Sequence, residues 1–214
     1  MFLSSRLGSL REKATRRLLR FRVLADSCTL PVTNEKDRLV AYLTIEALNL
    51  WETFVRFFYL SCAVMHPRTE SGNLVQVGGV NIPSVIDALE FSIRTLRPSL
   101  GKRPPWNRQD EPMWREPSTL VKLAHAAGVS NERQIIAAFG YSTAVFHHLP
   151  TVRNFYAHRN DSTAKKTEGV ARYYQLSPKL RPSELLCSKP IGRPQTLLSD
   201  WLDDLRNVIT LMCR

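Results

Sequence analysis

The sequence predicts an all-α fold, and three observations predict it. Apolar residues recur at spacings of three and four along most of the 214-residue chain, the period of a helix with one buried face. No stretch alternates apolar and polar residues opposite a partner stretch: "VQVGGVN", residues 75 to 81, stands alone as a strand candidate and reads as a loop. Two proline-rich stretches, 97–117 and 178–194, separate the periodic segments as connections between helices. With 43% hydrophobic residues the chain can build one substantial core, so a single helical domain over 1–214 with two long loops is expected.

The first element is a basic amphipathic helix over 1–24. Its Arg/Ser-rich, acid-poor composition also suits a mitochondrial-type presequence. Leu3, Leu7, Leu10, Ala14, Leu18 and Phe21, however, recur as on a helix that packs or binds through one face. Residues 1–22 hold seven Lys/Arg against one acid, so over half of the net charge of +11 sits there. The next helix starts at Asn34, read as its N-cap, and runs to Met65. Leu43, Ala47, Leu50, Phe54 and Phe58 form its core face, widened by Leu48, Trp51 and Val55. Glu46, Asn49, Thr53 and Arg56 make a polar stripe, read as a solvated side in preference to a cleft wall. Its apolar end, residues 50–65, contains Glu52 and Arg56 and is too short to cross a bilayer.

A third helix follows Pro83 to Leu96. The loop 97–117, with five prolines, is a binding loop or a disordered one. Pro117 opens a short helix ended by Gly128, and Ser130 caps another that carries Ile135, Ile136 and Phe139 towards His148. Pro150 restarts or kinks the chain. After the loop 178–194, a closing helix from Thr196 buries Leu198, Trp201, Leu202, Leu205 and Ile209.

Charge and motif narrow the function classes. A net +11 suits a polyanion, nucleic acid first, although an anionic membrane surface has the same charge. Cys28, Cys62, Cys187 and Cys213 form no CxxC or Cys/His ligand spacing, which indicates neither zinc nor disulfides and points to a reducing, cytoplasmic setting. The chain has no P-loop, GxGxxG, GxSxG or HExxH pattern, and no short helix-turn-helix unit with clear base-reading side chains.

The stretch with chemistry is "VRNFYAHRN", residues 152–160. Leu149, Val152 and Tyr156 share the face expected to point inward, while Asn154 and His158, four apart, share another. Arg153 offers a permanent planar fork that binds phosphate through two hydrogen bonds. His158 can take a proton from an attacking hydroxyl or return one to a leaving oxygen near neutral pH. Asn154 can orient the imidazole or hold the substrate, and Arg159 is a further candidate contact to RNA. RNA suits this set better than DNA, because its 2′-hydroxyl is an internal nucleophile needing a base, positioning and charge stabilisation. No carboxylate cluster of the kind that holds Mg²⁺ is apparent, so no metal or cofactor is expected. One histidine cannot be acid and base at the same instant, so two copies facing each other across a two-fold axis are expected. His147 and His148 could extend the site or bind a metal, but they point to different faces with no third ligand in register, and read as surface histidines.

Arg153-Asn154-Phe155-Tyr156-Ala157-His158 resembles the R-x4-6-H signature of the HEPN superfamily, in its form with a polar residue after the Arg. The apolar residue before the Arg, the small Ala157 and the pair Arg159-Asn160 extend the likeness, as do the long "EALNLWETFVRFF" helix and the Trp-containing last helix. The resemblance implies a HEPN-like helical bundle whose Arg153 and His158, supported by Asn154, meet their copies at a homodimer interface and cut RNA without a metal. It also implies a toxin or abortive-infection (antiviral defence) effector, with an antitoxin or sensor subunit as a possible partner, and no membrane partner. The alternative within the family is a catalytically silent helical module that binds RNA or a partner protein. Where partner-silenced HEPN toxins often carry a modified Tyr, two residues beyond the His, this chain has Asn160, which argues against that form of control.

Overall fold

The computed structural model describes residues 1–100, 107–141 and 144–214. Among these residues the chain is helical, without a named strand: α1 (Leu7–Asp26), α2 (Asn34–Leu60), α3 (Val85–Leu96), α4 (Pro117–Ala127), α5 (Glu132–Tyr141), α6 (Ala144–His158), α7 (Asp161–Tyr173), α8 (Pro182–Cys187) and α9 (Leu197–Met212). The all-α expectation therefore holds. No helix of the described residues is long and apolar enough to cross a membrane. The chain packs as two compact units, Met1–Ala14 with Trp51–Tyr141 and Val208–Arg214, and Thr15–Leu50 with Ser142–Asn207. α1, α2 and α9 contribute residues to both.

The first unit is built on the aromatic half of α2. Trp51, Phe54, Phe58 and Tyr59 are buried, and each such side chain stabilises the fold by roughly 1.5–3 kcal/mol. Their polar atoms are satisfied: Trp51 Nε1 donates to the Arg115 carbonyl at 3.0 Å and the Tyr59 hydroxyl to that of Ala88 at 3.0 Å. α2 continues into a π-helical turn, Ser61–Met65, which ends at His66 in the left-handed region. The polar stripe is engaged more firmly than a solvated side requires. Arg56 holds Glu111 through two hydrogen bonds, 2.6 and 3.0 Å, and Trp114 Nε1 donates to the same carboxylate at 2.8 Å. The second proline-flanked half of the loop 97–117 is thus pinned to α2, although residues 101–106 of that loop lie outside the described residues.

Residues 75–81 form no strand. Their neighbourhood shows isolated bridges only, Arg68 with Leu74 and Val77 with Val129. The backbone of Gly78 and Gly79 runs against the end of α4, where Gly128 caps the helix at φ +63°; a Cβ there would lie 2.9 Å from the Gly79 nitrogen. Ser130 does not cap α5 as expected. Its hydroxyl accepts the Gln76 N–H at 2.9 Å, and α5 begins two residues later.

The basic helix starts at Leu7 and not at the N-terminus, which leaves Leu3 outside it. In the second unit, Leu18, Phe21 and Ala25 of α1 are buried, so from there the helix packs through the face its spacing marked out. Arg17 pairs with Glu46, which also accepts from Asn49, and Arg22 reaches Asp203 at 3.2 Å. α2 is capped one residue earlier than expected: the Thr33 hydroxyl accepts the Lys36 N–H at 3.3 Å, and Asn34 is already helical. Pro150 neither restarts nor ends a helix, since α6 runs through it from Ala144 to His158.

The stretch 178–194 is corrected from loop to a connection containing α8. Pro182 occupies the first turn, where its missing N–H costs nothing, and the Glu184 carboxylate accepts the Arg181 N–H at 2.9 Å. Leu185 and Leu186 are fully buried. α9 then buries Leu198, Trp201, Leu202, Leu205 and Ile209 as the spacing predicts.

Candidate functional site

The last turns of α6 carry the motif. Leu149, Val152 and Tyr156 are buried, which anchors this face. Burial of the Tyr156 ring pushes its phenol far above the ordinary tyrosine value. Arg153 and Asn154 are half-buried and His158, the last residue of α6, is exposed. Arg153 has its Nε enclosed without a hydrogen-bond partner. Among the described residues no carboxylate pairs with it, and no hydrogen bond joins Arg153, Asn154 and His158 to one another. At about 100° and 1.5 Å per residue, Asn154 and His158 lie about 40° apart around the axis, whereas Arg153 and His158 diverge by about 140°. One copy of α6 therefore presents His158 and Arg153 on different sides.

The residues after His158 are committed to structure. Arg159 turns the chain at φ +42°, holds Asp37 Oδ2 at 3.2 Å and lies over the Tyr156 ring, 5.5 Å from its centroid. One terminal nitrogen, Nη1, is thus engaged by a carboxylate, while the side chain stays half-exposed. Asn160 caps α7: its Oδ1 accepts the Thr163 N–H at 2.9 Å, and the Thr163 hydroxyl accepts the Asn160 N–H at 3.3 Å.

The two upstream histidines part company. His147 is exposed and shares a face with Thr151, Asn154 and His158 at spacings of four, three and four, about 16 Å end to end. Thr151 sits between them with its hydroxyl donating to the His147 carbonyl at 3.1 Å. His148 is not a surface histidine. Its Nδ1 lies 3.2 Å from the Tyr174 hydroxyl, which accepts from Trp201 Nε1 at 2.8 Å. Since that hydroxyl receives the indole N–H, its own proton is free to go to the imidazole, which suits a neutral ring with Nδ1 accepting. Burial, then the neighbouring His147, holds His148 below the ordinary histidine value, and burial raises Tyr174 to about 12.

The cysteines also group in a way their spacing hides. Cys28 and Cys187 are both buried, and a hydrogen bond from the Cys187 thiol draws Cys28 down to about 7 against the opposing effect of burial. Burial likewise raises Cys62 and Cys213. Among the described residues no group of three or more His, Cys, Asp or Glu is gathered as for a metal ion.

No family model, curated protein or solved structure matches the chain.

Proposed function

We propose that the chain is a HEPN-type, metal-independent endoribonuclease that works as a homodimer, of the toxin or antiviral-defence class, acting in the cytoplasm. The observation that carries this reading is the guanidinium of Arg153, partly enclosed and without a carboxylate among the described residues, on the same two helical turns as an exposed histidine. A half-buried, uncompensated cation is costly unless an anion completes it, and a scissile phosphate is such an anion. Because Arg153 and His158 diverge around one helix, a second copy of α6 supplies what each copy lacks.

The step balances without a metal. His158 of one copy takes the proton of a 2′-hydroxyl, O2′ bonds to phosphorus, and the P–O5′ bond breaks. The departing oxygen receives a proton from the imidazolium of the second copy, and Arg153 stabilises the charge on the non-bridging oxygens. Asn154, about 40° from His158 on the same helix, steadies the imidazole or the sugar. Arg159, held by Asp37, positions the turn and makes at most a secondary contact to RNA. Purified protein incubated with total RNA in excess EDTA tests this reading. It should yield fragments ending in 2′,3′-cyclic phosphate and 5′-hydroxyl; a salt-sensitive mobility shift without cutting would leave only a silent RNA-binding module.

A further inference from the structure

We propose that the outer face of α7 is a track for single-stranded RNA, with Tyr173 as the platform on which a base stacks. The inference rests on RNA being the substrate, and it adds where and in what form the strand is held.

Ser162, Lys166, Gly169 and Tyr173 follow one another at spacings of four, three and four, so they form one stripe about 16 Å long. Lys165 and Arg172 flank it, and the stripe and its flanking cations lie on the solvent side of α7. Among the described residues neither Lys165 nor Lys166 has a partner, while Arg172 holds Glu168 at 3.1 Å. The stripe begins four residues beyond His158, across the turn made by Arg159 and Asn160, and ends beside His148. One hairpin of helices thus carries the candidate chemistry at one end and an aromatic cluster at the other.

Tyr173 is 62% exposed, although large rings gain by burial. It is nevertheless held: its ring stands 4.5 Å from that of His148 and 5.0 Å from that of Tyr174, both edge-on. A ring fixed from behind and open to solvent loses little freedom when a base stacks on it. Gly169 supplies a second observation. Glycine in a helix interior weakens the helix relative to alanine, yet a Cβ here would meet nothing within 4 Å, so no packing among the described residues calls for it. Bare backbone between Lys166 and Tyr173 leaves a low point where a sugar-phosphate can come close.

The occupant follows from charge and shape. Two lysines without a partner among the described residues, Lys166 on the stripe and Lys165 beside it, with Arg172 paired to Glu168 at its end, fit a polyanion, and the open ring selects an unpaired base, because bases in a duplex are already stacked. An anionic bilayer is a poorer fit, since the stripe offers no aliphatic side chain to insert.

The test uses the full chain carrying His158→Ala, to prevent cutting, and fluorescence anisotropy with labelled oligouridine. Tyr173→Ala should weaken binding about tenfold or more, while Tyr173→Trp retains it. Lys165→Ala with Lys166→Ala should flatten the log–log salt dependence by about 1.4, the loss of two phosphate contacts on a single strand. Gly169→Leu should weaken binding while circular dichroism shows the helix content kept. Unchanged affinity in Tyr173→Ala, equal competition by a matched duplex, or the same Tyr173 dependence towards phosphatidylserine vesicles would overturn the track. The two readings fail separately. If the wild-type chain cuts RNA and these variants all bind the oligouridine as tightly as His158→Ala alone, the track falls and the ribonuclease stands; if binding needs Tyr173 but the wild-type chain never cuts, the reverse holds.

Discussion

Arg153 is the residue on which the proposed chemistry turns, because its enclosed Nε has no acceptor among the described residues. Arg153→Met keeps the apolar stem and removes the unpaired charge, so it should leave the thermal midpoint unchanged or slightly raised while cleavage is lost. Arg153→Lys keeps the charge without the planar fork and should cut about 100-fold more slowly or worse, measured as initial rates on one RNA. His148 gives a pH prediction with a definite sign. Its pKa is depressed in the folded protein, so as pH falls through the ordinary histidine value of about 6.5 the unfolded chain takes up the proton first. Its contribution to stability is therefore present above that pH and lost on acidification. Between about pH 7.5 and 5 the thermal midpoint should fall less in His148→Gln than in the wild-type chain. Residue types were legible in the sequence: Arg153, Asn154 and His158 announce their chemistry by identity, and Val152 and Tyr156 their anchoring by spacing. What Arg159 does was not, because Asp37 lies 122 positions away and nothing local signals it.

At the scale of elements, caps decide where helices start and stop, and two of them can be measured. Asn160→Ala removes the reciprocal hydrogen bonds with Thr163 and should destabilise the fold by about 1 kcal/mol, read from urea unfolding. Gly128→Ala should cost more than that, since it places a Cβ in the left-handed region and 2.9 Å from the Gly79 nitrogen. Helices with a continuous apolar face were readable from the chain, with α3 following Pro83, α4 set between Pro117 and Gly128, and α9 following Thr196. α7 was not, because its buried residues within the helix are Thr167, Val170 and Ala171, too few to give a period. α8 was hidden by proline content, although Pro182 in a first turn favours a helix. In α6 Pro150 is carried within the helix, so of its two expected roles it does not restart the chain.

For the whole molecule, a basic chain of two compact units is proposed to act only as a pair. If each catalytic centre needs His158 from both copies, mixing the wild-type chain with a growing excess of His158→Ala under subunit exchange should depress activity per wild-type chain in proportion to the wild-type fraction. Activity per wild-type chain that stays constant would mean that each copy acts alone. The charge and the all-α class were legible in composition and period, whereas the division into two units arises from the packing of segments far apart in the chain.

The most direct measurement is RNA cleavage in excess EDTA by the wild-type, Arg153→Ala and His158→Ala chains, with circular dichroism to verify the fold. The account predicts that the wild-type chain cuts and that each variant, still folded, is slower by at least about 100-fold. Cutting that survives both substitutions, or that disappears on chelation alone, would contradict it.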